Sequence, residues 1–383
     1  CHRLRLFPSL RHPYLAFTAT EPLRLGNHEL ASVGFGKQVE QFFEGEGLRV
    51  NVAGQPWKSL FVSRGGAIYG RLSADDRDLY RSDDRGDTST LLARFDEPIK
   101  SVFVSETGTI LVGVKGAVYR SSDGGRGFQR SLELSTPESF IRHNNGMTEA
   151  PGHRLLVGEY GNVWSDAGWQ AIAYLYLSTD EGETWETSDF LIEKGANKHV
   201  HMVRYSRILN RLLMTDGDNK KRLWISDPVD RASPNPEWNL VTRFHLQMGG
   251  YTTAAECDGK VLLGTDYQGG TNFVVETKNG LDFVKKVIPD PYRRSPIDNM
   301  VVRRSADGSE IWANLPYSTS RSRCLLMFTK DAGATWTRVF EYNRSAYTVW
   351  LHSSSLDGTD DLFFSIEEHP TGERSVYRVC DPD

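Results

Sequence analysis

The 383-residue chain is predicted to be an all-β, seven-bladed β-propeller built from four-stranded antiparallel blades. Three observations predict it: a short Ser/Thr, Asp/Asn, Gly, aromatic motif recurs five times, β-rich runs flank the copies, and the copies are spaced by roughly one blade or two. The fullest copies are Ser178-Thr-Asp180-Glu-Gly182-Glu-Thr184-Trp185 and Thr329-Lys-Asp331-Ala-Gly333-Ala-Thr335-Trp336. Ser121-Ser-Asp123-Gly-Gly125-Arg-Gly127-Phe128 is a third, Ser82-Asp-Asp84-Arg-Gly86-Asp-Thr88 a fourth, and a shortened fifth runs from Thr277-Lys-Asn279-Gly280 to Phe283. In each, Asp or Asn accepts hydrogen bonds from amides of its own turn, Gly takes a backbone angle closed to other residues, and the aromatic ring packs between sheets. Each copy therefore reads as a hairpin turn.

Spacing sets the blade size. Asp84 and Asp123 lie 39 residues apart, Asp123 and Asp180 57, Asp180 and Asn279 99, and Asn279 and Asp331 52. The interval of 99 holds two blades, with Ser226-Asp227 where the missing turn belongs. Runs such as Tyr174-Leu175-Tyr176-Leu177 and Leu325-Leu326-Met327-Phe328 precede the turns, and Thr337–Phe340 follows one. Blades are expected near 58–96, 97–134, 139–192, 197–243, 245–287, 296–341 and 345–380. Residues 14–25 remain, and are expected to add a strand to the last blade and close the ring, which removes exposed sheet edges. No long helical period and no Pro- or Ser-rich linker divides the chain, so one domain spanning 1–383 is expected.

The motifs resemble the Asp-box, or BNR, repeats of sialidase-like propellers. The resemblance implies an exported, carbohydrate-handling protein: secreted, periplasmic or at the cell surface. In that family the boxes sit at outer turns away from the ligand, whereas sites are built from the innermost strands around the channel. True sialidases also carry an N-terminal Phe/Tyr-Arg-Ile-Pro arginine motif, which this chain lacks; Tyr292-Arg293-Arg294-Ser295-Pro296 is only an echo in the wrong part of the fold. Seven-bladed polysaccharide lyases such as ulvan lyases are a nearer likeness in architecture and residue type. They imply His and Tyr for proton transfer and Arg to neutralise a uronate.

Composition narrows partners. The net charge is −5 and the cations are scattered, so no basic stripe marks a nucleic-acid surface. No apolar run approaches the ~20 residues that span a bilayer, and the expected state is a monomer. The chain starts at Cys1 rather than Met, so residues are expected to precede it in the gene. Cys1, Cys257, Cys324 and Cys380 show no CxxC spacing, which argues against thiolate metal sites; Cys1 and Cys380 are expected to meet as a disulfide where a propeller closes.

Chemistry is densest in four inner-strand segments. Alternation in Lys198-His199-Val200-His201-Met202-Val203-Arg204-Tyr205 puts His199 and His201 on one face, where they could hold a divalent metal or serve as acid and base. His143 or His201 is the expected base, Tyr251 the acid and Arg204 the carboxylate neutraliser for β-elimination of a uronate-containing polysaccharide or oligosaccharide. Asn144, Tyr160, His199, Tyr267 and Arg303 are the expected substrate contacts; Arg142 and Arg304 could also bind a carboxylate. Hydrolysis would need two facing carboxylates, for which Glu159, Asp216, Asp218, Asp266 and Asp298 are available. A glycoside hydrolase and a non-catalytic glycan- or protein-binding propeller stay open as alternatives.

Overall fold

A computed structural model describes residues 21–29, 43–45, 48–166, 168–217, 222–229, 236–241, 250–317 and 322–381. The chain is a seven-bladed β-propeller whose regular structure is almost all β, 54% strand against 1% helix. Blade one runs through Trp57–Val62, Ile68–Leu72, Asp78–Ser82 and Thr90–Arg94, each paired antiparallel with the next. Blades two to six repeat the plan, with innermost strands Ser101–Val104, Met147–Ala150, Val200–Ser206, Tyr251–Cys257 and Asn299–Ser305. All of these innermost strands begin within a few residues of the places that turn spacing assigns, except in blade three, where the line is broken into Phe140–Ile141 and Met147–Ala150.

Closure differs from the sequence expectation. Blade seven is Tyr347–Leu351, Leu362–Glu368 and Arg374–Cys380, and its outermost strand is Leu48–Val52, in register Tyr377↔Val52 through Cys380↔Arg49. Of the segment expected in that role, residues 14–20 lie outside the described residues. Glu21–Pro22 instead runs parallel to the outer strand of blade five and Arg24–Glu29 parallel to that of blade six. These outer strands carry unpaired backbone groups that any passing extended segment can satisfy, so the leader spreads over two blades. Cys380 is buried; its expected pairing with Cys1 lies outside the described residues.

The repeated turns join the third and fourth strands of their blades. In the Asp180 turn, Asp180 Oδ1 accepts from the Ser178 hydroxyl at 2.7 Å and the Thr184 amide at 2.9 Å, while the Ser178 oxygen accepts from the Gly182 amide at 2.7 Å. The Asp331 turn repeats this at 2.8, 2.8 and 3.0 Å, and the Asp84 and Asp123 turns follow the same scheme. Gly182 and Gly333 have φ of 84° and 81°, a left-handed conformation that a side chain would strain. Burial, the largest single influence, pushes the Asp180 carboxyl up, but the hydrogen bonds from Thr184, Ser178 and the turn amides together outweigh it and hold the carboxyl down to about 2. The turn aromatics then key neighbouring blades together: Trp336 of blade six is buried with Ala255 and Leu262 of blade five, and Phe128 of blade two meets Phe95 edge-on at 5.4 Å.

One segment ties the whole ring. Between the two pieces of the inner strand of blade three, residues 142–145 bulge across the axis and reach every other blade. Arg142 donates to the carbonyls of His201, Thr252 and Asp298 in or beside blades four, five and six. His143 faces Leu60 O of blade one at 3.1 Å and receives the Val102 amide of blade two. Asn144 accepts from Ser353 beside blade seven at 2.6 Å, and the Asn145 carbonyl accepts from Val203. Gly146 permits the bulge, because a Cβ there would lie 2.4 Å from Arg142 O.

Candidate functional site

Strand direction sorts the two ends of the axis. First strands descend from one face, second strands return to it, and the repeated turns of the third strands lie on the far face. The near face therefore collects starts of first strands and exits of second strands. There a polar cavity of about 300 Å³ is lined by Arg142, Tyr160, His201, Thr252, Asp266, Tyr267, Gln268, Pro296, Asp298 and Tyr317. That is the lower end of the roughly 300–1,000 Å³ typical of small-molecule sites.

The imidazoles share a face, as alternation predicts. Their rings stack at 5.1 Å, and Tyr160 lies 4.1 Å from His199 and 6.1 Å from His201, centre to centre. His199 is the inner member, with Nδ1 2.5 Å from Gly161 O. His201 faces the cavity, its Nδ1 3.6 Å from Asp266 Oδ2. Gly217 makes room for both rings, since a Cβ there would stand 2.5 Å from His199 and 2.8 Å from His201. Among the described residues no group of three or more His, Cys, Asp or Glu is gathered to hold a metal ion.

Arg142 and Asp298 form the second half of the site. Arg142 Nη2 donates to Asp298 Oδ1 at 2.7 Å, and the guanidinium lies 6.0 Å from the centre of the Tyr160 ring. Burial works against the charge, but Asp298, Tyr160, Asp266 and Tyr317 outweigh it and hold the guanidinium above its ordinary value. The Asp298 charge, with burial second, pushes the Tyr317 phenol up to about 12, so it stays protonated at neutral pH. The Arg344 guanidinium lies 4.5 Å from the centre of the Tyr317 ring.

Of the residues expected to act, His201, Tyr160, Tyr267 and Arg142 line the cavity and His199 backs it. The others do not. Tyr251 is fully buried among Met202, Leu213 and Leu263, and burial pushes its phenol far up. The register shift between Tyr251 and Thr253 is the reason: one extra residue turns Thr252 toward the axis and Tyr251 into the core. Arg204 is buried toward the far face, where burial lowers it to about 10 against the pull of Glu256 and Asp357. Arg303 is sealed between Glu310, at 2.9 Å through two nitrogens, and Asp381 at 2.8 Å. Asn144 is committed to Ser353.

The carboxylates sort in the same way. Glu159 is buried against Ser135 and the Tyr176 hydroxyl, and Asp216 against Arg222, leaving Asp266 and Asp298 on the cavity; Asp218 and residues 247–249 lie outside the described residues. Thr252, Gln268, Pro296 and Tyr317 were not among the expected contacts. Their signal is positional: Tyr160, Tyr267 and Tyr317 each stand at or just beyond the end of the second strand of a blade.

His143 belongs to the axial bulge, and its environment carries a prediction. Burial, opposed by the Leu60 carbonyl, lowers its imidazole to about 4, and His352 beside it is pushed well below its ordinary value by burial and by His143. Both are neutral in the fold, whereas an unfolded histidine takes a proton near pH 6.5. Between these values the unfolded chain binds more protons, so stability is full above pH ~6.5 and falls as pH drops toward 4. His143→Gln, which removes this titration, is expected to flatten that acid slope by about 2 kcal/mol in urea unfolding followed from pH 7 to 4.

No family model matches the chain, and no curated protein matches it in sequence. Solved structures match its fold. A catalytically inactive variant of virginiamycin B lyase from Staphylococcus aureus, bound to quinupristin, superposes with TM-score 0.57 at 13% identity over 87% of this chain and 99% of that one. A streptogramin B lyase gives 0.56 at 14% identity over 88% and 98%. YCF48 bound to a D1 peptide gives 0.51 at 14% identity over 89% and 99%. At such identities the likeness is one of fold, and that fold serves lyases and peptide-binding proteins alike.

Proposed function

We propose that the near-face cavity takes an acidic saccharide and cleaves it by β-elimination. The observation that carries this reading is the convergence, in one polar cavity, of an imidazole next to a carboxylate, the protonated Tyr317 phenol and a charged guanidinium. His201 removes the proton alpha to a uronate carboxyl group, and Asp266 stabilises the imidazolium that results. Arg142 faces the carboxylate and stabilises charge as it builds there. The C–H electron pair becomes the new C=C bond, the β C–O bond breaks, and the Tyr317 phenol gives its proton to the departing oxygen. Arg142 and Tyr317 thus take the roles expected of Arg204 and Tyr251.

The repeated turns support kinship with sialidase-like propellers, and such a substrate places the activity outside the cytoplasm. Hydrolysis is the second reading, because Asp266 and Asp298 both line the cavity. One measurement separates these: incubation with a panel of acidic and neutral polysaccharides, followed by ultraviolet absorbance and reducing ends. Elimination yields a double bond conjugated to the carboxylate, so absorbance rises with new ends. New ends without absorbance would replace elimination by hydrolysis. Tight binding without either would make the cavity a recognition site.

A further inference from the structure

Two tryptophans stand outside the core on the same face as the cavity. After Tyr160 the chain leaves the second strand of blade three and forms a small hairpin, Trp164–Ser165 against Gly168–Trp169, closed by the Gln170 amide on Val163 O at 2.9 Å. Trp164 is 66% exposed and Trp169 42%, although burial of an aromatic side chain is normally a large stabilising contribution. The rings meet edge-on at 4.7 Å and 82°, so each positions the other without a core beneath. Lys198 Nζ lies 3.9 Å from the centre of the Trp169 ring.

The pair is continuous with the cavity. Lys198 O accepts from the Ile172 amide at 2.6 Å, closing the base of the hairpin, and the next residue is His199. His199 in turn meets Gly161 O and the Tyr160 ring. The path from Trp169 through Lys198 and His199 reaches Tyr160, a wall of the cavity.

We infer that Trp164, Trp169 and Lys198 form a stacking subsite for the length of an acidic saccharide that extends beyond the cavity, an inference that rests on the saccharide reading above. Indole faces accept the C–H faces of pyranose rings, and the Lys198 ammonium beside one of them selects chains bearing carboxylates. A cavity of about 300 Å³ is at the small end of ligand sites, so a longer saccharide extends beyond it. The hairpin supplies the grip that a longer chain requires.

The test uses oligogalacturonate and alginate fragments from disaccharide to octasaccharide, with cello-oligosaccharides as neutral probes, in titration calorimetry. A His201→Ala background keeps the probes intact. Affinity is expected to rise with length for the acidic probes, and Trp164→Ala/Trp169→Ala to weaken the octasaccharide about tenfold while leaving the disaccharide unchanged. Trp164→Phe/Trp169→Phe is expected to restore most of that loss, which separates stacking from misfolding. Length dependence that survives the double alanine variant overturns the subsite, as does equal binding of neutral probes, failure of all acidic probes, or capture of a protein through the pair without saccharide affinity. Length-dependent binding without cleavage by the intact protein would leave the subsite standing and remove the lyase.

Discussion

Replacing His201 with alanine is expected to lower turnover by about 10²–10⁴, the ordinary contribution of a positioned general base. KM is expected to move far less, since Arg142, Tyr160 and Tyr267 stay in place. Asp266→Asn should produce a smaller loss, about tenfold, because the carboxylate acts on the imidazole at 3.6 Å rather than on substrate. Initial rates of ultraviolet-absorbing product, measured on the polysaccharide cleaved fastest, check both values. A His201→Ala protein that keeps more than a tenth of wild-type turnover would remove the imidazole from the mechanism, and the base would then have to be sought among Asp266, Asp298 and the phenols.

The second large effect is on stability. Arg303→Met is expected to cost about 3–5 kcal/mol in urea unfolding, although the residue has no part in the cavity. Its side chain has no exposed surface, and its two bonds to Glu310 at 2.9 Å lie where the carboxylate is 1% exposed. Removing the cation takes two charge-assisted bonds from that buried carboxylate, which keeps the Trp312 indole at 3.0 Å and Lys330 at 4.0 Å, and one from Asp381, which keeps the Ala306 amide at 2.8 Å. Removing both charges is cheaper than removing one, so Arg303→Met/Glu310→Gln should recover at least half of the loss. A single-variant cost below about 1 kcal/mol would show that the pair is far better solvated than its burial implies.

What was legible in the sequence follows the range of the interactions. The repeated turns close within eight residues, so Ser178, Asp180, Gly182 and Thr184 announce their own bonds, and blade limits follow from their spacing. The closing strand does not announce itself. Pairing of Leu48–Val52 with Arg374–Cys380 joins residues more than three hundred positions apart, and a short β-rich leader reads equally well as the closing strand. At the site, blades four and five carry the same bulge, which puts His201 and Thr252 in the extra position toward the axis and Val200 and Tyr251 in the core; the sequence shows the imidazole pair but not this offset for Tyr251. Arg303 and Arg204 look like ligand-binding cations until the carboxylates around them are known: Glu310 faces Arg303 across the adjoining hairpin, and Asp381, Glu256 and Asp357 come from distant parts of the chain.

The segment from Arg142 to Asn145 also decides how material can move. Because it is pinned to every other blade, this segment corks the axis among the described residues, and the cavity opens on the near face. A polymer is therefore not threaded through the ring past Arg142–Asn145, and what binds beside Tyr160 and Tyr317 stays on the near face.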